Sequence, residues 1–187
     1  MDNPALPFRA TALSASYDAL GSLPVSVLLD SVRSLYNVGA FFRTLEAAGG
    51  QHLYLAGISA TPPHARLAKT ALGAEAIVPW SHVADVASTV DALQRQGVTV
   101  AAVETSSRAI DLYDWRPRFP VCVVFGHEVD GLPRPVVDAC DVVVRIPMLG
   151  RKHSLNVATA GGVVIFELLR QYRELHRGQA GQAGYQK

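Results

Sequence analysis

Apolar and polar positions alternate in blocks along this chain. Short, uninterrupted apolar runs are separated by longer stretches in which apolar residues recur at helical spacing. Uninterrupted runs are typical of strands buried on both faces, and the intervening stretches are typical of helices that cover a sheet. The sequence therefore predicts an α/β fold with a mostly parallel sheet and helices on both faces.

The same pattern gives approximate bounds for each element. Strands are predicted at residues 25–29, 52–56, 98–103, 121–125 and 142–146, with a shorter candidate at 76–78. Helices are predicted at residues 37–48, 65–72, 83–94 and 155–176. We expect one domain over residues 23–177, an N-terminal arm at 1–22 and a disordered tail rich in Gly, Gln and Ala at 178–187.

Composition and charge add a few constraints. Of the 187 residues 49% are hydrophobic, which is enough for a single core. There are 17 basic and 16 acidic residues, so net charge neither indicates nor excludes a nucleic-acid partner. The two cysteines, Cys122 and Cys140, lie in apolar surroundings and are predicted to be reduced, buried thiols. Without a secretion signal, a membrane-length apolar run or metal-ligand spacing, we expect a cytoplasmic protein that uses neither membrane nor metal.

Three segments in which polar residues follow a predicted strand carry the candidate chemistry. The first spans residues 29–44. Here Asn37 is a favoured helix N-cap residue, and Gly39 allows another chain or a ligand to come close. Arg43 lies in the second helical turn, from which its guanidinium can grip a phosphate. On its own, this segment is better explained as a capped helix with a solvated arginine.

The second segment spans residues 123–133 and contains a tight turn. The strand ends at Gly126, and Glu128 follows in a turn closed by Gly131, so the backbone can approach a ligand closely. The His127-Glu128 pair is not a zinc motif, because no second histidine follows at helical spacing. An ordinary strand-to-helix turn with an exposed glutamate is the alternative.

The third segment spans residues 146–157 and joins a strand to the last helix. Either Ser154 or Asn156 is a suitable cap for that helix. The basic run Arg151-Lys152-His153 is either a solvated turn or, beside the helix N-terminus, an anion site. Open α/β sheets bind ligands at the carboxyl ends of their strands, which is where all three segments lie.

The common nucleotide-binding fingerprints are absent from the sequence. No Gly-x-Gly-x-x-Gly follows a strand, and no Gly-x-x-x-x-Gly-Lys-Ser/Thr occurs. This argues against a nicotinamide-dependent oxidoreductase and a P-loop enzyme. The spacing alone predicts an α/β protein with a polar ligand site built from three loops.

Taken together and in order, the three segments resemble the three motifs of the SpoU (TrmH-like) RNA 2′-O-ribose methyltransferases of the SPOUT class. The matching stretches are Asn37-Val38-Gly39-Ala40 with Arg43-Thr44, Phe125-Gly126-His127-Glu128 with Gly131-Leu132, and Ile146-Pro147-Met148 with Ser154-Leu155-Asn156-Val157. The resemblance covers residues 25–171. It implies a C-terminal deep trefoil knot, a homodimer, S-adenosyl-L-methionine as cofactor, and methyl transfer to a ribose 2′-hydroxyl of tRNA or rRNA.

The resemblance also implies roles for individual residues. The residues that match the functional polar residues of the family are Asn37, Arg43, Glu128, Ser154 and Asn156. The cofactor pocket is expected to be edged by Val103, Glu104, Thr105, Gly126, Ile146, Met148, Ser154 and Leu155. RNA contacts are expected from Arg33, Arg43, Arg151 and Lys152, and from the region of Arg9 in the arm.

Arg43 is the base that the resemblance implies, although a guanidinium with a pKa above about 12 rarely gives up its proton. Our hypothesis is that Arg43 positions the RNA phosphate and ribose and stabilises the developing alkoxide.

The small residues Ala158, Ala160, Gly161 and Gly162 at the start of the last helix predict close packing at the knot or dimer interface. A catalytically silent RNA-binding module of the same fold is the alternative function.

Overall fold

Seven parallel strands form the centre of the part of the chain that the structure describes. The computed structural model describes residue 17 and residues 19–183, with side chains up to residue 177. The strands are β1 (Val25–Asp30), β2 (His52–Ala56), β3 (Trp80–Val83), β4 (Thr99–Val103), β5 (Ile110–Asp111), β6 (Val121–Phe125) and β7 (Val142–Arg145). They lie in the order β3-β2-β1-β6-β4-β7-β5, and each neighbouring pair is parallel. The predicted parallel sheet is therefore confirmed.

Helices cover both faces of this sheet, as predicted. They are α1 (Leu35–Ala47), α2 (Ala65–Ala71), α3 (Val86–Arg95), α4 (Arg134–Ala139) and α5 (Val157–Ala183), with one 3-10 turn at Ala74–Ala76. Along β6 the side chains alternate between faces, so Val123 and Phe125 pack with α1, α2 and α5. The intervening Val124 packs with α3 and α4 on the other face. Continuous apolar strands arise because both faces are buried.

Glycines allow α1 to lie close to two neighbouring helices. A Cβ atom at Gly39 would lie 2.8 Å from the carbonyl oxygen of Leu67 in α2. A Cβ atom at Gly161 in α5 would clash with the ring of Phe41 in α1. The close approach predicted at Gly39 is therefore made by α2, and part of the small-residue stretch of α5 serves packing within the chain.

Several element bounds differ from the prediction. Residues 76–78 are not a strand, because the chain makes a 3-10 turn at Ala74–Ala76 before β3. Val83 ends β3, and α3 begins only after Asp85, whose carboxylate caps it by accepting from the Ser88 N–H at 2.7 Å. The short elements β5 and α4 were not predicted, since two and six residues are too few to produce a periodic signal.

The two ends of the chain are described only in part. Helix α5 continues to Ala183, beyond the predicted end at residue 176, so it extends into the segment for which disorder was predicted. Residues 184–187, and most of the predicted arm at 1–22, including Arg9, lie outside the described residues. The deep knot remains a prediction of the resemblance.

Candidate active site

The carboxyl edge of the sheet brings the three polar segments together. Because the strands are parallel, the chain leaves β1, β4, β6 and β7 at the same edge. The segments after β4, β6 and β7 line a cavity of about 320 Å³, which is in the size range of small-molecule sites. The segment after β1 lies beside it and contributes no lining residue.

The walls of this cavity contain every residue predicted to bind the cofactor. These are Val103, Glu104, Thr105, Gly126, Ile146, Met148, Ser154 and Leu155. Lining residues that the sequence analysis did not single out for the cavity are Phe125, His127, Glu128, Val129, Asp130, Gly131, Arg145, Val157 and Ala160. They neighbour the motif residues along the chain, so proximity to the motifs was the signal that could have identified them.

A tight turn after β6 forms one wall. His127 and Gly131 exchange backbone hydrogen bonds of 3.1 and 2.9 Å, and Gly131 has a φ of +69°, a conformation that favours glycine. A Cβ atom at Gly126 would clash with the backbone of Gly131. The carboxylate of Glu104 holds this turn from β4, because it accepts from the Leu132 N–H at 2.7 Å.

Glu128 links this turn to the segment after β1. Its carboxylate accepts from the N–H groups of Arg33 and Ser34 at 3.0 and 2.9 Å, and from the Asn37 side-chain amide at 2.9 Å. Partial burial raises the pKa of Glu128, but the donors from Ser34, Arg33 and Asn37 outweigh burial and lower this pKa to about 2. Glu128 is therefore ionised at neutral pH.

Asn37 and Asn156 extend the link to the last helix. The Asn37 side-chain oxygen accepts from the Asn156 side-chain amide at 3.1 Å. The Asn156 side-chain oxygen in turn accepts from the N–H groups of Ala158 and Thr159 at 3.0 and 3.2 Å, so Asn156 caps α5. A continuous chain of hydrogen bonds, Glu128–Asn37–Asn156, therefore ties the three segments together.

Asn37 does not cap α1, and that prediction was wrong. The N-cap is Ser34, whose hydroxyl accepts from the Asn37 N–H at 3.4 Å. The helix begins at Leu35, two residues before Asn37. This places Asn37 in the first turn, where its amide is free to pair with Glu128 and Asn156.

The other predicted polar residues are less closely grouped. The hydroxyl-bearing Ser154 is exposed and lines the cavity. Arg43 is exposed on α1 and does not line the cavity, and it makes no side-chain hydrogen bond or ion pair with any residue that the structure describes. The single chain therefore does not bring Arg43 to the cavity in which Ser154 lies.

The predicted RNA-contacting side chains lie on the surface near this edge. Arg33 is exposed, and only its backbone is used by Glu128. Arg151 and Lys152 are exposed in the segment between β7 and α5.

The remaining sequence predictions concern metal ligands, membrane-spanning helices and the two cysteines. Among the described residues, no three His, Cys, Asp or Glu side chains are grouped as metal ligands. No helix in the described part of the chain combines the length and apolar character needed to cross a membrane. Cys122 is buried and Cys140 half-buried, and both are free. Burial raises the pKa of both thiols, that of Cys140 to about 12.

The fold and the cavity define an α/β protein with a ligand site at the carboxyl edge of a parallel sheet. The chain belongs to the SpoU rRNA Methylase family, whose model matches residues 24–166.

Named relatives and solved structures agree with this family. The chain is 36% identical over 149 residues to the 23S rRNA (guanosine-2′-O-)-methyltransferase RlmB of Vibrio parahaemolyticus, covering 79% of this chain and 60% of the relative. An AdoMet-bound rRNA methyltransferase from Sinorhizobium meliloti superposes with a TM-score of 0.72 at 30% identity, covering 78% of this chain and 56% of that one.

A third protein is similar over nearly its whole length. It is the subject of a structure on the 2-OH methylation of C/U34 on tRNA, with a TM-score of 0.70 and 31% identity. The match covers 79% of this chain and 95% of that one. By contrast, this chain spans about three fifths of the length of the curated relatives that it matches.

Proposed function

We propose that this protein transfers a methyl group from S-adenosyl-L-methionine to a ribose 2′-hydroxyl of tRNA or rRNA in the cytoplasm. One observation carries the proposal: the eight residues expected to bind the cofactor line one cavity. The Glu128–Asn37–Asn156 hydrogen bonds join two of the loops that line it, those after β6 and β7, to the segment after β1. The relatives named above act on 23S rRNA and on tRNA, which supports an RNA substrate.

The cavity suits the cofactor chemically. Val103, Ile146, Met148 and Leu155 give it apolar surface for a purine ring, while Glu104 and Thr105 bring polar groups to the same wall. The glycine pair after β6 allows the turn that forms another wall to close tightly, because a Cβ atom at Gly126 would clash with the backbone of Gly131. When bound, S-adenosyl-L-methionine supplies an electrophilic methyl group on its sulfonium.

The work of the protein is then alignment and charge stabilisation. Glu128, Asn37 and Asn156 hold the loops in fixed relative positions, which keeps the ribose hydroxyl and the methyl group in line. The Ser154 hydroxyl at the cavity wall is available to orient the ribose. Arg43 lies outside the cavity of its own chain, so it acts in the pair of chains proposed below, where it binds the RNA phosphate and ribose at the partner's cavity and stabilises the developing alkoxide. The hydroxyl proton passes to water, because a guanidinium keeps its own.

The cofactor site is tested by titrating the protein with S-adenosyl-L-methionine in a calorimeter. We expect saturable binding that Leu155→Asp weakens at least about tenfold, because it places a charge in the apolar wall. Leu149→Asp is the matched control, since Leu149 is fully exposed and outside the cavity. If the protein binds a nicotinamide dinucleotide instead, it is an oxidoreductase; if folded protein binds neither, the silent RNA-binding module is favoured.

We further propose that two copies of the chain pair through α5, and that the knot expected from the resemblance is present. Thr159, Gly162, Val163 and Phe166 recur at helical spacing along one side of α5. A Cβ atom at Gly162 would meet nothing within 4 Å, and Phe166 is 48% exposed. These features leave an apolar strip of the helix available to a second copy.

Substitution of Phe166 tests the dimer. We expect sedimentation velocity to give about twice the 20.0 kDa chain mass for the wild type and a monomer for Phe166→Glu, because a buried, unpaired carboxylate opposes association. Ile77→Glu changes a more exposed apolar residue, far from α5 along the chain, and should leave the dimer intact. A wild-type monomer at micromolar concentration would contradict this part of the proposal.

A further inference from the structure

A second cavity opens beside the first at the same edge of the sheet. Its volume is about 350 Å³, and it shares Thr105, Arg145, Ile146 and Met148 with the first cavity. Its remaining lining residues are Ser106, Asp111, Pro147, Lys152 and His153. The two cavities are therefore adjoining compartments separated by residues that line both.

The charged groups of the second cavity favour an anion. Arg145 and Lys152 are cationic, and Asp111 is the acidic side chain among the lining residues. Asp111 is already paired, because its carboxylate accepts from the Arg145 Nε–H at 2.5 Å. Arg145, Lys152 and Asp111 together give the lining one net positive charge.

Donor groups remain free in this cavity. The ion pair with Asp111 engages Arg145 through Nε, and the terminal guanidinium nitrogens make no hydrogen bond to any residue that the structure describes. Within the same described residues, the Lys152 ammonium has no acceptor. The Ser106 hydroxyl oxygen accepts from the Arg108 N–H at 3.2 Å, so its own proton is available to donate. An anchored guanidinium, an ammonium and a hydroxyl are the groups that bind phosphate oxygens.

We propose that the second cavity binds a phosphodiester group of the RNA next to the ribose that is methylated. This inference rests on the proposed function. A target ribose must reach the methyl group in the first cavity, and every ribose within an RNA strand is flanked by phosphates. A cationic compartment that shares a wall with the cofactor cavity can hold one of these phosphates and fix the ribose in register.

Lys152 gives the most direct test, because it lines the second cavity but not the first. Binding of unmodified tRNA and 23S rRNA transcripts is measured by fluorescence anisotropy at several KCl concentrations. We expect Lys152→Ala to weaken the better-bound transcript about fivefold to tenfold and to reduce the salt slope by about 0.7–0.9, the amount lost with one phosphate contact. Lys152→Arg should restore most of the affinity.

Two controls distinguish a contact between Lys152 and an RNA phosphate from a general loss of positive charge and from a change in cofactor binding. Lys69→Ala removes an exposed lysine of α2 that lines neither cavity and should leave the salt slope unchanged. Calorimetric affinity for S-adenosyl-L-methionine should be the same in Lys152→Ala and wild type. A loss of cofactor affinity would overturn the proposal, because the anion would then be the carboxylate of the cofactor.

The inference and the proposed function fail in different ways. If the wild type methylates RNA but Lys152→Ala binds it like Lys69→Ala, the phosphate site is wrong and the activity stands. If Lys152→Ala loses affinity and salt dependence but no methyl transfer occurs in the wild type, the second cavity binds an RNA phosphate, and both the activity and the methylated ribose beside that phosphate are wrong. A wild type that binds neither transcript overturns both.

Discussion

Replacing Glu128 with Gln is expected to reduce methyl transfer by about 10²–10³-fold, with a loss of about 1–3 kcal/mol in the free energy of unfolding. The Glu128 carboxylate accepts three N–H donors, and an amide in its place turns an NH₂ group towards at least one of them. The segment after β1 would then separate from the turn after β6. Rates are measured at saturating cofactor, and stability by urea denaturation.

The pH dependence of stability distinguishes this charge effect from a packing defect. The folded-state pKa of Glu128 is lowered from 4.5 to about 2, so its contribution is fully present above pH 4.5 and is lost as the pH falls towards 2. The stability difference between wild type and Glu128→Gln should therefore shrink below pH 4.5. Glu46→Gln, an exposed change on α1, is the matched control. A difference that is constant from pH 7 to pH 3 would contradict the account of Glu128.

Arg43→Ala is expected to lower methyl transfer by about 10²–10³-fold with little change in stability or cofactor affinity. Arg43 is exposed and has no partner among the described residues, so the folded chain does not depend on it. Its contribution is made when RNA is bound. The rate is measured in single-turnover experiments, and cofactor affinity by calorimetry.

Arg43→Lys tests the geometric role of the guanidinium. A planar fork holds a phosphate or a ribose oxygen through two parallel hydrogen bonds, which an ammonium cannot reproduce. We therefore expect Arg43→Lys to remain at least about tenfold slower than wild type. Arg66→Lys, at an exposed position on α2, should transfer methyl groups at the wild-type rate. Near-normal methyl transfer by Arg43→Lys would make the geometric role untenable.

Much of the fold could be predicted from the sequence because the strands are buried on both faces. Runs such as the one that forms β6 contain no polar residue, and their direction follows from the helices between them. The turns at Gly126 and Gly131 were also predicted, since a positive φ or a close backbone contact requires glycine. The motif order identified eight of the residues that line the first cavity.

The remaining features depend on contacts between distant parts of the chain. Asn37 was assigned as a cap because local patterns favour it, yet its partners are Glu128 and Asn156, 91 and 119 residues further along. No local pattern encodes such a pair. Likewise, the guanidinium of Arg145 is held by Asp111 of β5. A strand of two residues leaves no pattern in the sequence, so this ion pair could not be predicted.

The most direct test of the central claim is to identify the product of methyl transfer. The protein is incubated with tritiated S-adenosyl-L-methionine and unmodified tRNA or 23S rRNA transcripts, and the RNA is then digested to nucleosides. We expect label in a 2′-O-methylated nucleoside, and its loss in Arg43→Ala and Glu128→Gln. Label on a base, or no label in any transcript from protein that binds the cofactor, would contradict ribose methylation.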